Sequence, residues 1–182
     1  LALGHRRIGV AGFRKTDEPD GTDPARTPAG TTPAYRITAE RLAGYRDAAH
    51  AAGVELAVDL SRLNARASGA AAAHALLDAP DPPTAILAMS DELALGVIAA
   101  AQERGLRVPD DLSVVGFDDA GPAAAAGLTT ITQDLEAQGE RAGELVLAGA
   151  EWGDAPPHVL LPARLIVRRT TASPPRAGGP AA

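Results

Sequence analysis

The chain has 182 residues, a formal net charge of -6 and no cysteine. This length gives one globular domain with a sizeable core, and the negative charge argues against a protein that grips a phosphate backbone by itself. The lack of cysteine excludes disulfide scaffolds, thiolate zinc sites and cysteine nucleophiles, and no apolar run approaches the roughly 18 residues of a membrane span.

Strand-like and helix-like segments alternate from the start of the chain. Residues 8–11 form a short apolar strand that ends at Gly12. Residues 14–34 are rich in Pro, Gly, Thr and Asp, and we expect them to form a flexible insertion loop. The following helix is expected to have Thr38 as its N-cap and to end at Gly53.

The alternation continues to the end of the chain. Further strands are expected at residues 54–58, 84–89, 112–117, 128–131 and 158–167, and further helices at residues 65–78, 91–104 and 135–149. Asn64, Ser90 and Asp134 precede these helices and are candidate N-caps. Residues 173–182 are expected to form a disordered tail. Continuous apolar strands between helices are typical of a parallel sheet covered on both faces, so the sequence predicts a doubly wound α/β domain.

Polar residues follow several of these strands, at the sheet edge where ligands bind in open α/β folds. They are Asp59, Ser90, Asp91, Asp118, Asp119 and Gln133. Arg41, in the first turn of the helix after the long loop, is expected to reach the same edge. Carboxylate, hydroxyl, amide and guanidinium groups together are suited to bind a polyhydroxylated molecule. The alternative for Asp91 and Ser90 is a structural role at a helix N-terminus.

Common catalytic motifs are incomplete in this sequence. Gly9 and Gly12 form only part of a dinucleotide-binding fingerprint, the sole lysine, Lys15, is not in a phosphate-loop context, and no nucleophile elbow is present. Asp118 and Asp119 resemble the acidic pocket of a magnesium-dependent receiver domain, but the chain lacks the lysine of such a pocket. The four histidines lie at no metal-binding spacing. We therefore expect a binding protein that is not an enzyme and uses neither a cofactor nor a metal ion.

Several segments, in this order, resemble the signature segments of the LacI/GalR transcriptional regulators. They are GHRRIGVAG (4–12), RLAGYRDA (41–48), SDELALG (90–96), GLRVPDDLSVVGFDD (105–119), LTTITQD (128–134) and LPARLIVRRTT (161–171). The resemblance covers residues 4–172. It implies a regulatory core similar to periplasmic sugar-binding proteins of type I, in which two α/β halves are joined by crossover strands and enclose the ligand.

By position, the resemblance implies particular ligand-binding residues. The expected set is Arg41, Ser90, Asp118, Gln133 and Asn64. Asn64 stands where the family usually has an aromatic residue that stacks on a sugar, so that ring is missing from its usual place. The ligand is expected to be a small-molecule effector, most simply a sugar.

The same resemblance implies how the chain is organised. Residues 4–172 form an effector-binding and dimerisation domain, and residues 135–161 within it belong to a second lobe that is otherwise missing. The family's helix-turn-helix is absent from the chain, so operator DNA is expected to bind only through that missing N-terminal domain. The expected homodimer contact is formed by Leu95, Ile98, Ala123 and Ala124.

We interpret the chain as the effector-binding and dimerising region of a LacI/GalR-type regulator, located in the cytoplasm. In such a regulator a sugar stabilises one closure of the two halves and changes the spacing of the paired DNA-binding heads. The alternative is a periplasmic-type sugar-binding protein of a transport system. The segment LALGHRRIGV lacks the features of a signal peptide, which disfavours that alternative.

Overall fold

Strands and helices alternate in the computed structural model of the chain. It describes residues 1–14, 35–61, 63–148 and 158–175. The elements are β1 (Ile8–Phe13), α1 (Arg36–Ala51), β2 (Leu56–Ser61), α2 (Arg66–Leu77), β3 (Ala85–Ala88), α3 (Asp91–Glu103), β4 (Ser113–Val115), α4 (Gly121–Ala126), β5 (Thr130–Thr132), α5 (Leu135–Leu147) and β6 (Arg164–Ile166).

A parallel sheet with the strand order β2-β1-β3-β4 forms the centre of the molecule. Parallel bridges from Val115 to Thr129 and from Asp118 to Thr132 attach β5 next to β4. β6 pairs antiparallel with β5. The order of the strands reverses between β1 and β3, and this is the point at which ligands bind in doubly wound sheets.

Helices cover both faces of the sheet, as two neighbouring residues of β1 demonstrate. Ile8 packs with Ala49 of α1, whereas a side chain at Gly9 would meet Leu76 of α2. Successive residues of a strand point to opposite faces, so α1 and α2 lie on opposite sides of the sheet. The prediction of a doubly wound α/β domain is confirmed.

Helices α2 and α3 pack with their backbones in direct contact. A Cβ atom at Gly69 would collide with the carbonyl of Leu93, and a Cβ atom at Gly96 would collide with the carbonyl of Arg66. The two glycines therefore allow the backbones of α2 and α3 to approach more closely than any larger residue at these positions would permit. This contact fixes the start of α3, and with it the position of Ser90 at the edge of the sheet.

Two of the expected N-caps are confirmed. The side chain of Ser90 accepts a hydrogen bond of 3.1 Å from the amide of Leu93, and that of Asp134 accepts one of 3.1 Å from the amide of Ala137. Each side chain satisfies an amide in the first turn of its helix that has no partner within the helix.

Two other expected caps are wrong. Helix α1 begins earlier than predicted, with Tyr35 as its N-cap, and Thr38 is buried, where its hydroxyl donates to the carbonyl of Phe13 at 2.9 Å. The N-cap of α2 is Ala65, and the side chain of Asn64 does not cap the helix. In both cases a partner distant in sequence engages the polar side chain.

The sequence prediction differs from the structure in the last part of the chain as well. Helix α4 was not expected, because its six residues begin with a Gly-Pro pair that suggests a loop and continue with four alanines. The strand expected at residues 158–167 is confined to β6. Residues 15–34 of the expected insertion loop and the tail from residue 176 lie outside the described residues. No helix within the described ranges is both long and apolar enough to cross a membrane.

Helix α5 follows β5 and has no buried residue. Its exposed apolar side chains include Leu135, Val146 and Leu147, which are 58%, 75% and 88% exposed, and Leu145 is partly exposed. The adjoining segment adds exposed Val159, Leu160 and Leu161. We call these seven residues the α5 apolar surface. Residues 135–161 were expected to belong to a lobe that is otherwise missing, and within the described residues the apolar side chains of α5 are only partly covered.

We expect the 182-residue chain to self-associate through the α5 apolar surface. Each exposed side chain of leucine size forgoes about 1.5–3 kcal/mol of burial, which an interface would recover. Changing both Val146 and Leu147 to serine should weaken the association, measured by sedimentation velocity over a range of concentrations. The control is Leu63→Ser, which removes an exposed leucine elsewhere. Equal association of the double variant and the wild type would contradict the expectation.

Candidate functional site

The register of the parallel strands brings chemically diverse residues into one row at the carboxyl edge of the sheet. β1 pairs with β3 up to Ala11 and Ala88, so two residues further on Phe13 lies beside Ser90. The last pair of β3 and β4, extended in the same way, places Ser90 beside Asp118. We call Phe13, Ser90 and Asp118 the strand-end row.

Hydrogen bonds confirm that the pairing continues toward this row. The amide of Met89 donates to the carbonyl of Ala11 at 2.9 Å, and the amide of Asp91 donates to the carbonyl of Phe117 at 2.8 Å. The strands therefore remain adjacent up to the point where the helices begin. Polar side chains distant in sequence are brought together by backbone geometry alone.

Asp118 is the centre of a cluster of three polar side chains. Its Oδ1 accepts a hydrogen bond of 2.6 Å from Nε2 of Gln133 and lies 3.6 Å from Nη2 of Arg41. The side chains of Arg41 and Asp118 are 10% and 30% exposed. The structure thus confirms that Arg41 and Asp118 face one polar region at the strand ends.

The backbone of Asp118 adopts an unusual conformation. Its φ is +118°, and φ of the next residue, Asp119, is +55°, a region that residues other than glycine rarely occupy. A hydrogen bond of 2.8 Å from the amide of Asp118 to the carbonyl of Ile131 holds this turn against β5. Strained backbone of this kind clusters at functional sites, since the surrounding structure must maintain it.

Arg41 is held by three different contacts. Besides its ion pair with Asp118, Nη1 donates to the carbonyl of Met89 at 2.5 Å. Its guanidinium carbon lies 3.6 Å from the centre of the Phe117 ring, a cation–π contact. Sequence reasoning missed Phe117, although an aromatic residue directly before the strand-end aspartate was the available signal. These contacts orient the guanidinium before any ligand binds.

Burial shifts the pKa of each ionisable group in this cluster. Desolvation lowers the pKa of Arg41, and the charge of Asp118 acts in the opposite direction. Desolvation raises the pKa of Asp118, which the charge of Arg41 and the hydrogen bond from Gln133 partly offset. The pKa of nearby Tyr45 is raised chiefly by burial. The charged pair is thus poorly hydrated, and such groups gain from hydrogen bonds that a polar ligand brings.

Ser90 and Asn64 form a second polar part of the site. The hydroxyl of Ser90 is buried and donates to Oδ1 of Asn64, while it also accepts from the amide of Leu93. Asn64 itself is exposed. With its oxygen engaged by Ser90, Asn64 has its NH2 group to offer as a donor.

Asp91 belongs to the framework beneath the site. It is 2% exposed and accepts hydrogen bonds of 2.7 Å from the amide of Ala120 and 2.6 Å from the hydroxyl of Thr130. A Cβ atom at Gly116 would collide with this carboxylate, so the glycine provides the space for it. Burial raises the pKa of Asp91, against the effect of its hydrogen bonds. Its role extends beyond the helix N-terminus that the sequence indicated.

Asp119 also joins separate parts of the chain. Its Oδ1 lies 2.7 Å from Nη1 of Arg168, which in turn donates to the carbonyl of Leu128 at 2.9 Å. The loop after β4 is thereby tied to the segment after β6.

The residues expected in a dimer contact have different environments. Leu95 and Ile98 are partly exposed on α3, and Ala124 is exposed on α4. Ala123 is fully buried in the core of its own chain. Its assignment to the dimer contact is therefore wrong, because α4 turns that side chain inward.

No group of three or more histidine, aspartate or glutamate residues in the described ranges is arranged to hold a metal ion. His5 has a structural environment instead. Its Nδ1 lies 2.8 Å from Oγ1 of Thr84, and its Nε2 lies 2.9 Å from the carbonyl oxygen of Ala172. The ring links the start of β1 to the C-terminal segment.

The sequence profile of the periplasmic binding protein-like domain matches residues 1–171. The chain belongs to this family. An HTH-type transcriptional regulator of Mycobacterium tuberculosis is 36% identical over 180 residues, which are 96% of this chain and 49% of the relative. This periplasmic-binding-protein-like chain thus spans about half the length of that relative.

Solved structures place the chain more closely within the family. A LacI transcriptional regulator from Rhodococcus is 31% identical, with a TM-score of 0.78, over 96% of this chain and 59% of that one. A Lac repressor dimer bound to operator and the anti-inducer ONPF is 29% identical, with a TM-score of 0.75, over 94% of this chain and 54% of that one. The chain corresponds to the effector-binding region of LacI/GalR-type regulators.

Asp91→Ala should destabilise the fold by about 2–4 kcal/mol, because it leaves the amide of Ala120 and the hydroxyl of Thr130 buried without a partner. Asp91→Asn keeps the shape: its Oδ1 can still accept from the amide of Ala120, and its NH2 group can donate to the hydroxyl oxygen of Thr130. We expect this variant to lose about 1 kcal/mol or less, mainly from the favourable charge at the start of α3. Urea unfolding measures both values. Equal losses for the two variants would show that the hydrogen bonds are not responsible.

Proposed function

We propose that this chain is the effector-binding and dimerising region of a LacI/GalR-type transcriptional regulator, and that its effector is a sugar. The observation that carries the proposal is the cluster of Arg41, Asp118 and Gln133 at the carboxyl edge of the sheet. Helix α1 supplies a guanidinium, the loop after β4 supplies a carboxylate, and the residue after β5 supplies an amide. The regulators named above as relatives favour this function over that of an enzyme or of a periplasmic-type sugar-binding protein.

The chemistry of the cluster suits vicinal hydroxyl groups. Asp118 accepts hydrogen bonds from hydroxyls, while Arg41 and the NH2 group of Asn64 donate to hydroxyl or ring oxygens. Ser90 positions Asn64, and Gln133 positions Asp118. A molecule without matching hydroxyls would desolvate these groups without pairing them, and this penalty provides selectivity.

The position of Gln133 connects the ligand to a change of shape. Gln133 is followed directly by Asp134 and α5, the helix that carries the uncovered apolar surface. In the full regulator this surface would pack on the rest of the second lobe, so a ligand held by Asp118, to which Gln133 donates, acts where the chain passes between the lobes. Binding would then stabilise one closure and shift the population of the regulator.

The remaining partners follow from the same proposal. A homodimer would form through α3 and α4, with Leu95, Ile98 and Ala124 in the contact. Operator DNA would bind to a part of the regulator outside this chain, and the regulator would act in the cytoplasm, where its DNA is.

Asp118→Asn should reduce sugar affinity by tenfold or more, which corresponds to about 1.4 kcal/mol, since it removes the charged acceptor and keeps the shape. Isothermal titration calorimetry with methyl β-D-galactopyranoside and methyl β-D-ribofuranoside measures the loss. Asp110→Asn is the control, because Asp110 is an exposed aspartate whose nearest cation, Arg107, lies outside the cluster. Undiminished affinity in Asp118→Asn would contradict the role.

Wild-type affinity should also fall as the pH is lowered. The ionised form of Asp118 is the acceptor, and burial raises its pKa above the ordinary value of 3.8, so the loss should begin at a higher pH than for an exposed aspartate. The same calorimetric titration, repeated at decreasing pH, tests this. In Asp118→Asn the pH dependence should disappear.

We expect this chain alone to show no sequence-specific binding to DNA, because its net charge is -6 and its described residues contain no helix pair of the DNA-reading type. A gel-shift titration at low salt with operator-like and scrambled duplexes measures this. Retention of one duplex but not of the other by the chain alone would refute the expectation.

A further inference from the structure

Two aromatic side chains meet at the β1 end of the strand-end row. The ring centres of Phe13 and Tyr35 are 6.0 Å apart and their planes are inclined by 62°, an edge-to-face arrangement. Phe13 is partly buried and packs against the core, whereas Tyr35 is 41% exposed. The buried ring therefore supports the exposed one.

The strand register and one hydrogen bond place this aromatic pair at the same edge of the sheet as the polar cluster. Phe13 lies beside Ser90 in the strand-end row, and its carbonyl accepts the hydroxyl of Thr38 at 2.9 Å. Thr38 belongs to the first turn of α1, between Tyr35 at the N-cap and Arg41 one turn further on. Tyr35 and the guanidinium of Arg41 are therefore presented by the same helix at the same edge of the sheet.

Other rings are not available to a ligand at this edge. The face of Phe117 is covered by the guanidinium of Arg41. Tyr45 lines an apolar groove with Ile8 and Leu56, on the face of the sheet that carries α1. Tyr35 is thus the one exposed aromatic side chain at the strand ends among the residues that the structure describes.

On the basis of the proposed function, we propose that Tyr35 is a specificity-determining residue whose ring stacks on the apolar face of a cyclic sugar. Phe13 is the positioning residue that holds the Tyr35 ring by edge-to-face contact. Furanose and pyranose rings carry polar hydroxyls at their periphery and C–H groups on a face, which matches a polar cluster flanked by an aromatic wall. The site then prefers a ring to an open-chain polyol with the same number of hydroxyls.

The experiment compares cyclic and open-chain probes on the 182-residue chain. Saturation-transfer NMR and calorimetry with methyl β-D-galactopyranoside, methyl β-D-ribofuranoside and galactitol give the affinities. Tyr35→Ala and Tyr35→Leu should weaken binding of the preferred cyclic probe by about fivefold, the size of a typical aromatic contact. Tyr35→Phe keeps the ring and should stay within about twofold of wild type. The control is Ile37→Ala, which removes a neighbouring exposed apolar side chain.

Each outcome has a defined meaning, provided that thermal unfolding shows the variants to be folded. Unchanged affinity in Tyr35→Ala, for a probe that Asp118→Asn no longer binds, overturns this inference and leaves the proposed function intact. A loss in Tyr35→Phe equal to that in Tyr35→Ala also overturns it, because the hydroxyl would then be responsible. Binding of none of the probes by the wild type overturns the proposed function, and this inference with it.

Discussion

The buried carboxylate of Asp91 is the interaction on which the arrangement of the site depends. It starts α3, accepts from the loop after β4 through Ala120, and accepts from β5 through Thr130. These three parts of the chain enclose Asp118, whose backbone is held in a conformation that it would not adopt alone. Because Asp91 is almost completely buried, any loosening of these parts would leave a buried charge without its hydrogen-bond partners. The framework is therefore rigid where the site requires rigidity.

In the proposed function, the charges of Asp118 and Arg41 serve ligand binding, whereas that of Asp91 holds the framework together. Their pair is partly desolvated, so a polar ligand would supply hydrogen bonds in place of lost hydration. Arg41 is already oriented by Met89 and Phe117, and Asp118 by Gln133, so little side-chain freedom is left for a ligand to remove. Preorganised polar groups of this kind bind a matching ligand at a low entropic cost. Because these polar groups are fixed in position, the site would select among ligands by the positions of their hydroxyl groups.

Much of this arrangement could be predicted from the sequence, because it follows from strand order and from which residues follow each strand. Arg41, Asp118 and Gln133 meet as expected, and Ser90 and Asp134 cap their helices. The errors occur where tertiary contacts override a local preference. Thr38 has the chemistry of an N-cap, but the carbonyl of Phe13 engages its hydroxyl. Asn64 is likewise engaged by Ser90.

Other features carried too little local signal for prediction. Helix α4 has six residues, and the burial of Ala123 depends on which way that short helix turns. Phe117 was overlooked because its contact with Arg41 joins residues far apart in sequence. The pairing of Phe13 with Tyr35 spans a long intervening segment in the same way. Such contacts arise from the register of the sheet, which a single sequence does not display.

The most direct test of the central claim is an NMR titration that follows the side-chain signals of the cluster. Resonances of Gln133 Nε2–H2 and Arg41 Nε–H would be recorded while methyl β-D-galactopyranoside or methyl β-D-ribofuranoside is added. We predict that both signals shift along one saturation curve, while the Nε–H signal of Arg104, which pairs with Asp78 away from the site, stays in place. Saturable binding that leaves Gln133 and Arg41 unshifted would contradict the account.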